Sequence, residues 1–422
     1  MKRSGTLLLV AVSVALSGCT ALNPAPAPTP TVTVAPSGDG VLRIGTLFDL
    51  RGPLRAQSPA QVAGAEIAVR DINRAGGFGG APVELFHRDG SDPEAAAASF
   101  AALVEKGVDV VIGPSSSAVA DALSPIAAEA GVTLISPTAA FSDPGTLDFS
   151  TAQSPAALAA GVVAARPDTV AALITFEGSA ADLGGALDAA GLTPALTATF
   201  APDQTDFTRL IAELSTAEAT SIIISAPVEA GDETTALLTA LLAADHEGSS
   251  FVLLDAALRN WGSSVPDGSL EGAVGVAAGA AADRVFVGQL RQSDPGLTSS
   301  MFGAEAYDAV VLAAIAATLA QDDGGPSIAH DLRAASSGGI PCASFAECLD
   351  VLAAVSSNTK PSSAEPSSTK SSSTEPWGIE GDVDYVGRSG RADLAESGNR
   401  ADLTFTTYTF DAANKREIVA ER

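Results

Sequence analysis

Cationic, aromatic, histidine and cysteine side chains are all scarce in this sequence. Its 23 Lys and Arg stand against 50 Asp and Glu, a net charge of −27 at pH 7. That balance excludes nucleic acid as a partner, because phosphate neutralisation needs clustered Lys and Arg. It describes a well-solvated surface instead. The three histidines, His87, His246 and His330, are scattered, and the three cysteines do not have the spacing of a zinc finger. A metal centre therefore has no ligand set. The glycines of "RAGGFGG" do not fit GxGxxG, so a dinucleotide fingerprint is missing and no cofactor is expected. There is no GxSxG elbow, no P-loop and no His–acid cluster. The SxxK strings "SNTK" and "SSTK" fall in a serine-rich stretch unable to hold an oxyanion hole rigid. Enzymatic chemistry is not expected.

What is present is apolar and small. Apolar residues make up 46% of the 422 residues but aromatics only 5%, and alanine does much of the filling. The length suits two or three domains with a sizeable core. At the N-terminus, Lys2 and Arg3 precede an apolar run from Leu7 to Leu16. This is the shape of an export signal, too short to span a bilayer comfortably. It ends in Leu16-Ser17-Gly18-Cys19, which resembles the lipobox of bacterial lipoproteins, so residues 1–18 are expected to be removed and Cys19 lipidated. Residues 19–40 then form a Pro/Thr-rich linker. The chain would be exported and lipid-anchored to the outer face of the cell membrane. In an exported chain the remaining cysteines, Cys342 and Cys348, are expected to form a disulfide.

From residue 41 strands alternate with helices. "VLRIGTLFDL", "PVELFHRD", "VDVVIGP" and "GVTLISPTAA" read as strands. The segment "SPAQVAGAEIAVRDIN" reads as a helix with Val62, Ala65, Val69 and Ile72 on one face. Asp92-Pro93-Glu94 combines an N-cap, an N1 proline and a first-turn acid. After "DFSTAQSP" the alternation restarts with "TVAALITF", "LTPALTATF", "SIIISAP" and "SSFVLLDAA", and a C-terminal β segment "DLTFTTYTFDA" closes the chain. The pattern predicts an α/β fold of two doubly wound parallel-sheet lobes. Residues 356–376 contain nine serines and no large apolar side chain, and are expected to be a disordered insertion.

The order of "LRIGTLFDLRGPL", "GAEIAVRDINRAGGFGG", "PVELFHRDGSDPEAAAA" and "GVDVVIGPSSSAVADALSPIAAEAGVTLISPTAA", followed later by "AEAYDAVVLAAIAA" and "DVDYVGRSG", resembles the solute-binding lipoproteins of ABC transporters in the leucine/isoleucine/valine-binding family. The resemblance implies a type I periplasmic-binding fold, two α/β lobes joined by a three-segment hinge. Lobe 1 would comprise 41–152 plus 278–337, and lobe 2 would comprise 153–277 plus 338–422. The crossings are expected near Ser150–Ser154, Gly275–Ala280 and Ala335–Gly339. The implied role is capture of an amino acid or similar small polar solute by a monomer that delivers it to an ABC permease. A non-transport receptor or envelope scaffold with the same fold stands as the alternative.

The resemblance also implies a ligand site. Ser117, with Ser115 and Ser116 beside it, matches the helix-start serine that meets the ligand carboxylate. Ser136, Thr138 and Ala139 match the next loop. A helix N-terminus offers free N–H donors and a partial positive charge to such a group. Asp255 matches an acid pairing with the ligand ammonium, and Glu177 and Glu229, also just past strands, are secondary candidates. Gln57 stands where the family has a tyrosine, and Ala140 where it has a threonine. Two second-lobe tyrosines have no counterpart, one falling in "FEGSAADLGGAL" and one near Pro227. The departures remove hydrogen bonds and an aromatic lid, and leave a different small polar ligand, or weak or no binding, in place of branched-chain amino acid specificity.

Overall fold

The computed structural model describes residues 34–177, 182–227, 230–255, 257–281, 283–297, 299–358 and 383–421. The expected export signal, Cys19 and Glu229 lie outside them. The first sheet contains β1 (Arg43–Phe48), β2 (Glu84–Asp89), β3 (Val110–Ile112), β4 (Thr133–Ser136) and β5 (Asp148–Ser150). All are parallel, in the order β2-β1-β3-β4-β5. The helices α1 (Ser58–Arg74), α2 (Pro93–Val104) and α3 (Ser117–Ala130) connect them. Local chemistry sets their ends: Asp92 caps α2 by accepting from the Ala95 N–H at 2.9 Å, and Gly131 ends α3 in the left-handed region. Alternate strand residues feed two cores. Leu47, Val111 and Leu134 pack with α2 and α3. Ile44, Phe48, Val110, Ile112 and Ile135 face the other way, against α1 and the later helices. Burial on both faces is why β3 and β4 read as continuous apolar runs.

The second sheet is entered through α4 (Pro155–Ala165). It is built from β6 (Ala171–Phe176), α5 (Leu183–Ala189), β7 (Leu196–Phe200), α6 (Thr208–Thr216), β8 (Ser221–Ala226), α7 (Gly231–Ala243), β9 (Phe251–Asp255) and β10 (Val274–Ala278). The chain then leaves for α8 (Arg284–Ser293), α9 (Gly303–Ala320) and α10 (Gly325–Ser336), which pack in the first core. Helix α9 is buried on every face, and it is the one described helix long and apolar enough to cross a membrane. Its approach to α1 depends on glycine, since a Cβ on Gly64 would sit 2.1 Å from the Gly303 carbonyl oxygen.

Two boundaries differ from expectation. The strands β11 (Ile340–Cys342), β12 (Val383–Gly387) and β13 (Gly390–Arg391) form a small third sheet, with α11 (Phe345–Asn358) between the first two. Cys342, Phe345, Cys348, Val383, Tyr385, Ala392 and Leu394 are buried in the same core as β1 and α9. The described residues 340–358 and 383–394 thus belong with the first sheet rather than the second lobe, because their apolar side chains join the core that holds α9 and α10. The third crossing accordingly falls between Leu394 and Phe405, not at Ala335–Gly339. The second sheet is also mixed. Strand β14 (Phe405–Phe410) and β15 (Arg416–Glu421) form a tight hairpin and add antiparallel to β10, giving the order β15-β14-β10-β9-β8-β6-β7. Cys342 and Cys348 are disulfide-bonded, as expected. Helix α11 runs through Asn358, so the first residues of the expected 356–376 insertion are helical, and the rest lies outside the described residues.

The three crossings are tied together by buried polar groups. Arg400, ion-paired with Asp402, donates to the carbonyls of Thr151 (3.4 Å) and Ser389 (3.1 Å). Gly279 N–H donates to the Thr404 carbonyl at 2.7 Å, and the Thr406 hydroxyl returns to the Gly279 carbonyl at 2.9 Å. Thr151 donates to the Glu305 carbonyl at 3.1 Å.

Candidate functional site

Open α/β sheets bind ligands beyond the carboxyl ends of their strands, where the strand order reverses. In the first sheet that point lies between β1 and β3. The chain leaves β3 through Gly113, where a Cβ would meet the Leu47 carbonyl oxygen at 2.5 Å, and delivers Ser115–Ser117 to the start of α3. The three serines do three different things. Ser115 is buried and donates to Gln61 Oε1 at 3.1 Å. Ser116 is the N-cap, its Oγ accepting from the Val119 N–H at 3.3 Å. Ser117 is half-buried at the first helical position, and its hydroxyl meets no partner among the described residues.

The loop after β4 braces this turn. The Ser136 hydroxyl donates to the Pro114 carbonyl at 2.8 Å and accepts from the Ala139 N–H at 2.9 Å. Thr138 donates to the Ser115 carbonyl at 2.9 Å, and Ser150 donates to the Ala139 carbonyl at 2.8 Å. The structure thus brings Ser115, Ser116, Ser117, Ser136, Thr138 and Ala139 into one wall, and most of their polar groups are engaged in holding it. What the wall leaves outward is the Ser117 hydroxyl and the N–H groups of Ser117 and Ala118, which precede the first intrahelical bond from Ala120 to Ser116. The wall is joined to the crossings, because Thr151 N–H donates to the Ser136 carbonyl at 2.9 Å.

In the second sheet Asp255 closes β9 with φ 51°, a left-handed backbone that turns its side chain away from the strand path. One carboxylate oxygen accepts from the Ser225 hydroxyl on neighbouring β8. Asp255 is reached by solvent, yet desolvation by surrounding protein raises its pKa, opposed by the Ser225 hydrogen bond. Glu177 is exposed just past β6, with its N–H on the Phe200 carbonyl at 2.9 Å. Gln57 is buried at the entry to α1, where its carbonyl accepts from the Gln61 N–H.

Gln61 is the residue that pattern reading missed. It is fully buried on α1, and its Nε2 has no hydrogen-bond partner. Its sequence signal is its spacing, four and eleven residues before the buried Ala65 and Ile72, a polar group at core periodicity.

Two sheets with separate cores, three crossings between them and a polar wall at a strand switch point define a two-lobed binding protein. The chain belongs to the periplasmic binding protein family, whose profile matches residues 41–345. It is 34% identical over 110 residues to the Leu/Ile/Val-binding protein BraC3 of Rhizobium johnstonii, 26% of this chain and 30% of that one. It is 33% identical over 99 residues to the leucine-, isoleucine-, valine-, threonine- and alanine-binding protein of Pseudomonas aeruginosa, 23% of this chain and 26% of that one. The matched stretches thus span under a third of these relatives. In fold it is similar to the branched-chain amino acid transporter substrate-binding protein LivJ of Streptococcus pneumoniae, solved with isoleucine. That likeness has a TM-score of 0.59 at 19% identity and covers 90% of this chain and 99% of that one. It is also similar to an ABC transporter substrate-binding protein of Sphaerobacter thermophilus, with a TM-score of 0.64 at 16% identity, covering 90% of this chain and 97% of that one. Family membership makes this a binding protein and not an enzyme.

Proposed function

We propose that the chain captures a small zwitterion, an amino acid or close analogue, between its two lobes and delivers it to an ABC permease. In this reading Cys19 carries the lipid anchor on the outer face of the membrane, and lobe 1 holds the first sheet with residues 340–358 and 383–394. The observation that carries the reading is the division of charge between the two sheets. The wall at β3 and β4 presents N–H donors, a hydroxyl and a helix N-terminus, which suit a carboxylate. The end of β9 presents one carboxylate, Asp255, which suits an ammonium group. Ser117 and the N–H groups of Ser117 and Ala118 would take the carboxylate, and Asp255 the ammonium, while Glu177 would lie at the margin.

The threonine and tyrosine positions of the family hold Ala140 and Gln57 here, so the ligand side chain meets fewer hydroxyl and aromatic groups. The groups that would meet the ligand side chain therefore differ from those of the family's branched-chain amino acid binders. A thermal-shift screen of the twenty L-amino acids tests the reading. At least one is expected to raise Tm, by an amount that grows with its concentration. No shift from any amino acid would favour the receptor or scaffold alternative.

A further inference from the structure

The serine turn is stitched to one side of the fold by three hydrogen bonds. Gly113 N–H donates to the Ile135 carbonyl at 2.9 Å, Ser136 donates to the Pro114 carbonyl at 2.8 Å, and Thr138 donates to the Ser115 carbonyl at 2.9 Å. All three come from β4 and the loop after it. On the other side lies α1, and among the described residues a single hydrogen bond joins it to the turn. The Ser115 hydroxyl donates to Gln61 Oε1 at 3.1 Å. Gln61 has no surface that a solute could touch, so any part it takes in binding runs through Ser115. That residue lies two before Ser117, the serine whose hydroxyl is left outward.

An amide is an expensive way to make that one bond. Gln61 Nε2 is buried with no partner, and a buried donor left unpaired costs more than one neutral hydrogen bond contributes. Position 61 also falls in a run of buried small residues, Ala60, Ala63, Gly64 and Ala65, where an apolar side chain would bury without that cost. A half-satisfied amide at a core position marks a residue kept for something other than stability. What this amide adds is the second fixed point of Ser115. Thr138 holds the Ser115 carbonyl from the β4 side, and Gln61 holds its hydroxyl from the α1 side. Together they fix where the chain enters α3.

We propose that Gln61 is a positioning residue of the solute site, which acts through Ser115 to set the Ser117 hydroxyl and the N–H groups of Ser117 and Ala118 against the ligand carboxylate. The inference rests on the amino-acid reading above and deepens it. Thermal shift and urea unfolding of the full chain test it. The probe is an equimolar mixture of the twenty L-amino acids, and affinity is read as the concentration giving half the maximal rise in Tm. Gln61→Met keeps the side-chain length and removes the amide, and Ser115→Ala removes the hydroxyl. Each is expected to weaken the probe about fivefold, the scale of one neutral hydrogen bond. Because one acts through the other, the double variant should also weaken it about fivefold rather than about 25-fold. Its urea midpoint should equal or exceed that of the wild type, since both partners and the orphan donor are gone. A pair with a merely structural role would not lose affinity while keeping stability. The inference alone is overturned if the wild type responds to the probe and Gln61→Met responds at the same concentrations. It is also overturned if the two losses multiply, or if the double variant loses affinity only along with stability. A wild type that does not respond overturns the amino-acid reading, and this inference with it.

Discussion

The two sides of the candidate cleft are built on opposite principles. On the first sheet, Ser115, Ser136 and Thr138 direct their hydroxyls into the protein and leave the outward face to Ser117 and the N-terminus of α3. On the second, one ionisable group, Asp255, stands at a strand end with a single hydroxyl behind it. The first side is rigid and donor-rich with no charged side chain, and the second concentrates its chemistry in one carboxylate. The difference teaches that a polar cluster in the sequence is not a list of ligand contacts. Here most of the cluster is scaffold, positioning the few groups that remain outward.

The largest expected effect comes from removing a brace rather than a contact. Ser136→Ala leaves the Pro114 carbonyl and the Ala139 N–H unpaired in a buried place. Each such group costs about 1–3 kcal/mol, so a loss of about 2–4 kcal/mol is expected in urea unfolding, with ligand affinity falling too as the wall loosens. If stability holds while affinity falls, Ser136 is a ligand contact and the division between brace and contact is wrong.

A pH series sharpens the other side. Only ionised Asp255 attracts an ammonium group, and its pKa is raised by desolvation. Affinity should therefore decline on acidification at a pH above the ordinary carboxylate range. The stability sign is opposite: in the interval between the unfolded and folded pKa values the folded state binds the extra proton, so stability falls as pH rises. Comparing Asp255→Asn with the wild type checks both. The variant should lose the affinity dependence and only Asp255's share of the stability dependence, while other carboxyls held above their ordinary range, such as Asp109 and Asp308, keep theirs.

The smallest effects separate two neighbours. Ser116→Ala removes the cap of α3 and should cost about 1 kcal/mol of stability with affinity nearly intact. Ser117→Ala should do the reverse, with an affinity loss of about 3- to 10-fold for one neutral hydrogen bond and an unchanged unfolding midpoint. Equal behaviour of the two variants would erase the distinction drawn between them.

The parallel strands and their helices were legible because each carries its own local signal. Asp92-Pro93 announces a helix start, and the apolar run at Val110–Ile112 announces a doubly covered strand. The return of residues 340–358 and 383–394 to the first core was not legible, because it depends on α9, buried all round and lacking any amphipathic direction. An alanine-rich helix fills space on every side without marking its neighbours. In the site, residue types and strand ends were readable, and so was the polar wall. The direction in which each hydroxyl points was not, since it is set by carbonyls such as Pro114 and Ser115 that carry no side-chain signature. Gln61 was hidden for a related reason, a polar residue at a core position whose partner lies 54 residues away in sequence.

The central claim, a zwitterion held between a donor wall and Asp255, is tested most directly by calorimetry with any amino acid that stabilises the protein, its N-acetyl derivative, and the Asp255→Asn variant. The prediction is that acetylation and the Asn substitution each weaken binding at least ~10-fold, as expected for losing a charge-assisted pair. Combining them should cost little more, because both remove the same interaction. Binding of the acetylated compound as tight as that of the free amino acid, with Asp255→Asn also unaffected, would contradict it.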